Sequence, residues 1–402
     1  MVSPSGSFLQ KMIVFPRKED RSLEGLSLRW AASLSGVSMG ALPVGLNVLA
    51  LVGAGISVSA GIPDFRSPGT GLWNNPLHSD LSRPEDMFTL SFFQSNPSPF
   101  FEFAKSIWPT GQHRPTPTHR FLKLLESKGV LLRVYTQNID GLERLAGIAP
   151  EKLVEAHGSF SSASCIDCHH SVDIQFVKSC IFSGKTPINC TVCNGLVKPD
   201  ITFFGEMLPD RFYGLFREDF GKCDLLLIMG TSLKVAPFNS LISQVGVTVP
   251  RVLMNRQPVP GSGQRPLLFD GPAAYRDVFI EGDCDDIVNR LVSLMGWSLT
   301  PVPEMIDMRK QARTAIPRLA TMESLDEIVH GGLPPLQRVK AETRELEEER
   351  YTARMDIQAA ILESDIIRLK SAVERAKVAG LSYWELGAAT DVLLSHERRR
   401  AS

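Results

Sequence analysis

Four cysteines are arranged in two pairs whose spacing is that of a metal site. They are Cys165, Cys168, Cys190 and Cys193, and 21 residues separate the two pairs. Each C-x-x-C segment presents two thiolates on one tight turn, and two such turns complete the tetrahedron of ligands that Zn²⁺ prefers. Four thiolates leave no coordination position open to a substrate. The spacing therefore predicts one structural zinc ion.

A glycine-rich turn follows the first long apolar segment of the chain. Its residues are Gly53, Ala54, Gly55, Ile56 and Ser57. Two glycines after a strand let the backbone approach a pyrophosphate closely at a helix N-terminus. The third glycine of the dinucleotide-binding fingerprint is missing, because Val58 stands in its place. A purely structural turn is therefore the alternative interpretation.

The loop that follows, residues 61–67, crowds a carboxylate, an aromatic ring and a guanidinium around Pro63. The side chains of interest are Ile62, Asp64, Phe65 and Arg66. A loop that needed only solubility would not place an aromatic ring between two charges. The pattern indicates binding of a planar, polar ligand group.

A second polar loop follows Leu131–Thr136, which we expect to be a buried strand. It contains Gln137, Asn138, Ile139 and Asp140. Any one of these polar residues alone would more often form a turn. Three directional hydrogen-bonding groups together favour recognition of a ribose and a carboxamide.

His157 lies between Ala156 and Gly158, so its ring is sterically open. An imidazole with an ordinary pKa of about 6.5 suits a general base. An isolated histidine is more often structural, and that is the alternative interpretation. Its closeness in sequence to the cysteine pairs and to the polar loop favours the catalytic one.

Three further segments place polar groups directly after apolar runs. They are Gly230, Thr231 and Ser232, then Asn255, Arg256 and Gln257, and finally Cys284 after Gly282 and Asp283. The first two sets lie where the ribose and phosphates of an adenosine nucleotide would bind. The third either closes the adenine end of that site or forms a plain turn.

The elements that must position these residues alternate apolar runs with longer mixed stretches. The clearest strands are Asn47–Val52, Leu131–Thr136, Asp224–Met229 and Arg251–Met254. Short, nearly continuous apolar runs are typical of parallel strands that are covered on both faces. The alternation predicts an α/β fold with a Rossmann-like, doubly wound parallel sheet, whose ligands bind beyond the carboxyl ends of the strands.

We expect three parts along the chain. Residues 1–45 form an N-terminal extension, residues 46–300 the main domain, and residues 301–402 a helical, charged tail. Two stretches interrupt the main domain. Residues 66–117 are rich in Pro, Phe and Gly and are expected to form loops and short helices, and residues 160–200 contain the cysteine pairs.

Apolar residues in the tail recur at alternating spacings of four and three, which is a heptad seam. The seam consists of Met355, Ala359, Leu362, Ile366, Leu369, Val373 and Ala376. Such a helix either packs against its own chain or self-associates as a coiled coil. Both interpretations are kept.

Composition excludes several classes of protein. The 402 residues include 43 Lys and Arg against 44 Asp and Glu, and the formal net charge is -1. This balance provides no overall attraction to nucleic acid or acidic membranes, and the cysteine-rich segment lacks dense basic and aromatic flanks. The apolar run Ala41–Ile56 is too short and too interrupted to span a bilayer. Seven cysteines, four of them in the pairs, indicate metal binding in a reducing compartment.

The order of these motifs resembles that of the sirtuins, a family of NAD-dependent protein deacylases. The resemblance runs from about Leu46 to Trp297 and is carried by GAGIS, GIPDFRS, TQNIDGLE, EAHGSF, the two C-x-x-C pairs, KPDITFFGE, GTSLKVAPF and MNR. It implies a large Rossmann-like domain and a smaller domain built from a zinc ribbon and a helical module. NAD and an acylated lysine would enter the cleft between them from opposite sides.

The resemblance also implies a role for each motif. Residues 53–57 and Arg66 would hold the pyrophosphate and its ribose, and Gln137 would contact the nicotinamide ribose. The nicotinamide pocket would consist of Ile62, Asp64, Asn138 and Asp140, with Phe65 shielding the cleaved face. The adenosine side would be lined by Ser232, Asn255, Arg256 and Cys284.

The implied reaction transfers an acetyl group from lysine to ADP-ribose. The acyl oxygen attacks C1′ of the nicotinamide ribose and expels nicotinamide, after which His157 acts as base on the ribose hydroxyls. We expect His157 and Asn138 to be the catalytic residues. The alternatives are a mono-ADP-ribosyltransferase that uses the same cleft and a non-enzymatic zinc-ribbon module that senses NAD.

Two features bear on the acyl group. Thr202 occupies the position in KPDITFFGE where the family usually has Val, next to Phe203 and Phe204 of the expected lysine channel. If this residue acts mainly through its backbone, Thr202 has no effect, whereas a side chain that lines the channel would shift the acyl preference. Residues 67–75 lack the Tyr and Arg pair of relatives that accept acidic acyl groups, which favours deacetylation over desuccinylation.

The expected partners are acetylated lysines of proteins, histones or others, together with NAD and one zinc ion. We expect no membrane association and no direct binding of nucleic acid. The expected compartment is the cytoplasm, with access to the nucleus. The mitochondrion is less favoured, although the first 18 residues carry Lys11, Arg17 and Lys18 and no acidic residue.

Overall fold

The computed structural model describes residues 46–62, 84–109, 112–270 and 274–299, and part of the tail. In the tail it describes residues 352–353, 355–361 and 365–379, and the single residues 386, 389 and 393. The predicted extension, residues 1–45, and most of the loop 61–67 lie outside the described residues.

Nine strands of the described chain form two sheets. In chain order they are β1 (Val48–Val52), β2 (Leu131–Thr136), β3 (Leu153–Glu155), β4 (Gly158–Cys165), β5 (Ser171–Val172), β6 (Val197–Ile201), β7 (Leu225–Met229), β8 (Arg251–Asn255) and β9 (Asp277–Glu281). Six are parallel, in the order β3-β2-β1-β7-β8-β9, and β5-β4-β6 form a small antiparallel sheet. The strand order reverses between β1 and β7, the switch point at which open α/β sheets bind ligands.

Helices surround both sheets. They are α1 (Leu90–Ser95), α2 (Ser98–Ile107), α3 (Pro117–Ser127), α4 (Leu142–Leu145), α5 (Ile174–Ser183), α6 (Asp210–Lys222), α7 (Cys284–Leu294) and α8 (Ile366–Val378). Short 3₁₀ segments cover Ala54–Ile56, Val58–Ala60, Pro84–Phe88, Pro150–Lys152 and Phe238–Ser243. None of the described helices combines the length and the apolar character that a membrane crossing needs.

Both faces of the parallel sheet are covered, as its apolar strands predict. Every residue of β1 is buried, yet alternate residues enter different cores. Val48, Ala50 and Val52 pack with α3 and α7, whereas Leu49 and Leu51 pack with α6. A strand with apolar side chains at every position can serve two layers of helices, because successive side chains point to opposite faces. The predicted doubly wound α/β fold is confirmed.

The four strands expected from the sequence are present, with ends that differ from the expected ones by at most one residue. They correspond to β1, β2, β7 and β8. β3 has only three residues and is too short to be recognised from an apolar run. The described part of residues 66–117 contains the 3₁₀ segment Pro84–Phe88 and the helices α1 and α2. The domain boundaries themselves stay predictions.

A third core lies between the antiparallel sheet and the helices α1, α2 and α5. Phe203 is at its centre and packs edge to face against Phe88, Phe93 and Phe100, with ring centroids 6.0, 5.5 and 4.8 Å away. Such edge-to-face pairs are favoured because the positive edge of one ring meets the negative face of another. The small sheet therefore has an aromatic core of its own.

The described part of the tail packs against the chain's own main domain. Leu369, Val373 and Ala376 of the heptad seam are buried in the same core as α6. Arg217 Nη2 on α6 donates a hydrogen bond to Ile361 O (2.8 Å). Leu362 of the seam lies outside the described residues. Packing on the same chain is the first of the two interpretations that the seam allows.

A buried ion pair joins β8 to β9. Arg251 Nε donates to Asp277 Oδ1 (2.7 Å) and Arg251 Nη2 to Asp277 Oδ2 (2.6 Å), and the two side chains are 2% and 3% exposed. The guanidinium also donates to the carbonyls of Ile242, Arg265 and Pro266. All of its N–H groups thus have acceptors in a region that excludes water.

We expect Arg251→Leu to lower the free energy of unfolding by about 3–5 kcal/mol, because it leaves a buried carboxylate and three buried or part-buried carbonyls without their donor. Urea denaturation followed by tryptophan fluorescence measures the change. The matched control is Lys222→Ala, which removes an exposed pair with Glu218 and should cost less than about 1 kcal/mol. Equal effects of the two substitutions would contradict the assignment.

Candidate functional site

At the switch point, two turns that leave the sheet touch backbone to backbone. Gly53 N donates to Met229 O (3.1 Å) and Gly55 N to Gly230 O (2.8 Å). A Cβ at Gly55 would lie 2.7 Å from Gly230 Cα, and one at Gly230, whose φ is +59°, would lie 2.6 Å from Ile56 N. Close packing of the strand ends therefore requires glycine at these positions. The approach of a pyrophosphate, which the sequence indicates, is a second reason for glycine here.

The polar loop after β2 is tied to the glycine-rich turn by side-chain hydrogen bonds. Asn138 Nδ2 donates to Gly53 O (3.2 Å) and to Ser57 Oγ (3.3 Å). Ser57 Oγ donates in turn to Asp140 Oδ2 (2.7 Å). Because Asn138 is only 7% exposed, this network leaves its side chain little freedom. The orientation of the loop thus depends on the turn after β1.

The ends of β7 and β8 join the same arrangement. Thr231 Oγ1 donates to Gln137 Oε1 (2.7 Å), which fixes the orientation of the Gln137 amide. Asn255 Nδ2 donates to Thr231 O (3.3 Å). Polar groups from four neighbouring strands are therefore held together at one edge of the sheet.

These strand ends line a cleft of about 840 Å³, a volume in the range of cofactor pockets. Twelve of the predicted cofactor-binding residues line it: Ala54, Gly55, Gln137, Asn138, Ile139, Gly230, Thr231, Ser232, Asn255, Arg256, Gln257 and Cys284. One side of the cleft thus offers amides, hydroxyls and a guanidinium along its length. This donor set fits the polar parts of a dinucleotide.

The remaining predicted residues are placed differently. Gly53, Ile56, Ser57, Ile62 and Asp140 are not part of the cleft lining. Ser57 is hydrogen-bonded to Asn138, which lines the cleft, and Asp140 is hydrogen-bonded to Ser57. Both residues are thus connected to the cleft through Asn138. The predicted residues Asp64, Phe65 and Arg66 lie outside the described part of the chain. Their roles stay predictions.

Cys284 begins α7 at one end of the cleft. It is 7% exposed, and its Sγ donates to Met254 O (3.3 Å). Burial, aided by the charge of Asp285, raises the pKa of the thiol to about 12. Cys284 is therefore a neutral wall of the cleft near physiological pH and not a nucleophile.

His157 is half-buried in the middle of the cleft. Its Nδ1 donates to Gln137 O (3.0 Å), so a neutral ring carries its proton on Nδ1 and leaves Nε2 as the basic nitrogen. Burial lowers the pKa of His157 to about 4, against a smaller opposing effect of that hydrogen bond. The ring is therefore in its basic form at neutral pH, as a general base must be.

Beyond His157 the lining of the cleft is mainly apolar, although Glu206 also contributes to it. Phe88, Phe203 and Phe204 line this end, together with Ile201 and Thr202. Thr202 N donates to His157 O (2.9 Å), so the backbone at this position is fixed relative to the candidate base. Thr202 also lines the cleft, so the residue at which this sequence departs from the family pattern is part of the cleft wall.

Lys198 is a functional candidate that the sequence analysis missed. Its side chain is 7% exposed, Nζ donates to Ile201 O (2.7 Å), and Nζ lies 3.1 Å from Glu206 Oε2. Nζ also lies 4.5 Å from the centroid of the Phe203 ring. The lysine thus holds the segment that forms the apolar end of the cleft. The available signal was its position in KPDITFFGE, the motif that contains Phe203 and Phe204.

Two residues of the tail also line the cleft, Met355 and Gln358. Gln358 is 1% exposed, and its Nε2 donates to Glu206 O (3.1 Å). Nothing in the sequence places this part of the tail near the segment that contains Glu206, because the contact spans about 150 residues of chain. The tail therefore completes one wall of the site.

The two cysteine pairs come together as predicted. The four Sγ atoms lie within 4.8 Å of one another, with Cys165 Sγ 3.4 Å from Cys193 Sγ and Cys168 Sγ 3.7 Å from Cys190 Sγ. The backbone N–H groups of Asp167, Val192 and Gly195 point at these sulfurs, each at 3.4 Å. Four thiolates with N–H donors are the donor set of a structural zinc site. None of the four lines the cleft, so a zinc ion that they hold would support the fold and would not contact a ligand in the cleft.

Known proteins resemble the chain over most of the described region. Residues 53–237 match the model of the Sir2 family. An NAD-dependent deacetylase sir2A of Dictyostelium discoideum is 50% identical over 254 residues, which cover 62% of this chain and 49% of that protein. The chain therefore spans about half the length of this relative.

Two other relatives are covered more completely. NAD-dependent protein deacetylase sirtuin-2 of Danio rerio is 48% identical over 264 residues, 62% of this chain and 68% of that protein. NAD-dependent protein deacetylase hst2 of Schizosaccharomyces pombe is 43% identical over 277 residues, 69% of this chain and 80% of that protein. Identity at this level over most of a relative's length, together with the cleft and the four-cysteine cluster, shows that the chain belongs to the Sir2 family, the sirtuins.

Proposed function

We propose that this chain is an NAD-dependent protein-lysine deacetylase, which transfers an acetyl group from lysine to ADP-ribose and releases nicotinamide. The position of His157 is the observation that carries the proposal. In one cleft it lies between polar strand ends that suit a dinucleotide and an aromatic segment that suits the stem of an acyl-lysine. The names of the relatives, all NAD-dependent deacetylases, support the same activity.

When bound, NAD would supply the ADP-ribose acceptor, with nicotinamide as its leaving group. The backbone of the turn 53–57 would bind the pyrophosphate, because its N–H groups and glycines allow close approach. The amide of Gln137, oriented by Thr231, would hold the nicotinamide ribose. Asn138, held in place through Ser57 and Asp140, would hold the carboxamide. Positioning of this kind contributes much of the rate of such transfers.

His157 would act as the general base. Its Nδ1 is engaged with the Gln137 carbonyl, so Nε2 is the atom that would accept a proton from a ribose hydroxyl. Phe203 and Phe204 would hold the aliphatic stem of the substrate lysine. Lys198 would keep this segment in place through its contacts with Phe203 and Ile201.

Substrate and location follow from the same proposal. Acetylated lysines of proteins, histones or others, would be the substrates, and the apolar end of the cleft suits an acetyl group better than an acidic acyl chain. Residues 46–300 would form the catalytic unit, in the cytoplasm and with access to the nucleus. Self-association through the tail stays a prediction, although Leu369, Val373 and Ala376 are buried by the chain itself.

The first test measures nicotinamide release from NAD with and without an acetyl-lysine peptide, followed by mass spectrometry of the peptide. We expect release that depends on the acetyl group, together with loss of the acetyl mass. Release without acetyl dependence, and a gain of ADP-ribose mass on a protein, would instead identify an ADP-ribosyltransferase. Full-length protein is used, because the tail lines the cleft.

Replacing His157 by Ala should abolish turnover by removing the base, whereas NAD affinity should change by less than about threefold because the polar strand ends are intact. The peptide assay measures turnover, and calorimetry with NAD measures the affinity. His170→Ala, at an exposed position, is the control and should leave both unchanged. Turnover retained by the His157 variant would refute its role.

The pH dependence follows from the lowered pKa of His157, which is about 4. A histidine with an ordinary pKa of about 6.5 would lose about 90% of its basic form between pH 7.5 and 5.5. We expect kcat/KM of the wild-type enzyme to change by less than about twofold over that interval. A steep fall centred near pH 6.5 would show that the ring is not desolvated in the free enzyme.

Purified protein should contain one zinc ion per chain, measured by mass spectrometry of the metal. Cys190→Ala should lose the zinc and lower the melting temperature by more than about 5 °C, because the metal joins the two C-x-x-C turns. Cys180→Ala, which changes a cysteine outside the cluster, is the control and should keep the zinc. Full zinc content in Cys190→Ala would contradict the ligand assignment.

A further inference from the structure

Three titratable side chains meet beside the catalytic loop, outside the cleft lining. They are His119 on α3, Asp140 on the loop and Glu143 on α4, and their side-chain oxygen and nitrogen atoms lie within 4.8 Å of one another. His119 is 0% exposed and Glu143 is 1% exposed. The proposed function uses Asp140 alone, so a buried carboxyl and a buried imidazole have no assigned task.

Glu143 is linked to the catalytic loop by two hydrogen bonds in series. Thr136 Oγ1 donates to Glu143 Oε1 (2.6 Å). The same hydroxyl oxygen accepts from Asn138 N (3.0 Å). Because the hydroxyl has one proton and gives it to Glu143, it is free to act as acceptor toward Asn138. Glu143 thus sets the backbone position of the loop at Asn138.

Asp140 is the other carboxyl of the cluster, and both of its oxygens accept hydrogen bonds. Its Oδ2 accepts from Ser57 Oγ (2.7 Å) and its Oδ1 from Leu142 N (2.9 Å). It is also less buried than Glu143. Two carboxylates this close inside a protein do not both ionise without a compensating cation. The geometry therefore places a proton on Glu143, the more deeply buried of the two.

His119 does not supply the compensating charge. Thr116 N donates to its Nδ1 (3.3 Å), so a neutral ring carries its proton on Nε2. That Nε2 is buried without a hydrogen-bond partner among the described residues. Burial lowers the pKa of His119 to about 4, against the opposing charges of Asp140 and Asp285. The ring is therefore neutral at physiological pH.

We propose that Glu143 is a positioning residue that must keep its proton for the loop 137–140 to bind NAD productively. This inference deepens the proposed function and rests on it. When Glu143 is neutral, Asp140 stays in its hydrogen bonds to Ser57 and Leu142, and Asn138 stays in place. When Glu143 loses its proton, repulsion between the two carboxylates pushes Asp140 away and loosens the loop.

The groups that surround Glu143 favour its protonated form. Burial, followed by the charge of Asp140, raises the pKa of Glu143 to about 8, and the charge of Glu155 adds a smaller effect in the same direction. Arg144 is the nearest cation along the chain, but its guanidinium pairs with Glu155 (2.8 Å). The transition thus falls just above neutral pH.

The test compares wild type with Glu143→Gln between pH 6.5 and 9.5. We expect the NAD affinity of the wild-type chain, and its kcat/KM for NAD, to fall about tenfold from pH 7.5 to 9, as a single ionisation near pH 8 requires. The Gln variant keeps the acceptor for Thr136 and cannot ionise, so it should match wild type at pH 7 and remain flat above it. Glu151→Gln, at an exposed position, is the matched control and should follow wild type.

A second measurement, the melting temperature, does not depend on catalytic activity. The folded chain binds the Glu143 proton more tightly than the unfolded chain, so between about pH 4.5 and 8 this carboxyl makes stability fall as pH rises. The melting temperature of wild type should therefore decline relative to that of Glu143→Gln across this interval. Glu143→Leu, which removes the acceptor for Thr136, should weaken NAD binding at every pH.

The outcomes separate the two proposals. Identical pH profiles for wild type and Glu143→Gln, in NAD affinity and in melting temperature, overturn the role of Glu143. A difference in both profiles without acetyl-dependent nicotinamide release supports Glu143 and refutes the proposed deacetylase activity. A difference in melting temperature alone shows a protonated Glu143 that does not act on the loop, and it also overturns the inference.

Discussion

The site depends on the direct contact between the turns that follow β1 and β7. No side chain separates Gly55 from Gly230, and the turn from one strand donates a hydrogen bond to the other. The loop after β2 is anchored on the first turn through Asn138, and Thr231 after the second turn orients Gln137. A side chain inserted at either glycine would separate these groups. The arrangement of the polar edge is therefore a consequence of close backbone packing at the switch point.

Burial affects the protonation states of the groups around this contact. It lowers the pKa of a base and raises the pKa of an acid, because it disfavours the charged form of each. Partial burial lowers the pKa of His157, and deeper burial raises the pKa of Glu143 and Cys284. The imidazole of His157, the carboxyl of Glu143 and the thiol of Cys284 are therefore all neutral within one region. Asp140, beside Glu143, accepts hydrogen bonds from Ser57 and Leu142.

The apolar end of the cleft is supported from outside the parallel sheet. The small antiparallel sheet carries the four-cysteine cluster, and its aromatic core surrounds Phe203. Lys198 and Glu206 hold the segment that follows β6, and Gln358 of the tail binds the carbonyl of Glu206. Zinc would thus contribute through the rigidity of this sheet, since none of its ligands lines the cleft.

The sequence by itself determined the parallel strands, the zinc ligands and most of the polar residues at the strand ends. These features depend on local patterns: continuous apolar runs, C-x-x-C turns and polar groups that directly follow strands. It also singled out His157, although only the fold puts its Nδ1 on the Gln137 carbonyl and thereby leaves Nε2 as the base. Tertiary structure alone decided the support by Lys198, the wall contributed by Met355 and Gln358, and the meeting of Glu143 with Asp140 and His119. These contacts join residues from separate elements, so no local spacing encodes them. The protonation states follow from the same contacts, because burial and neighbouring charges arise only when the chain is packed.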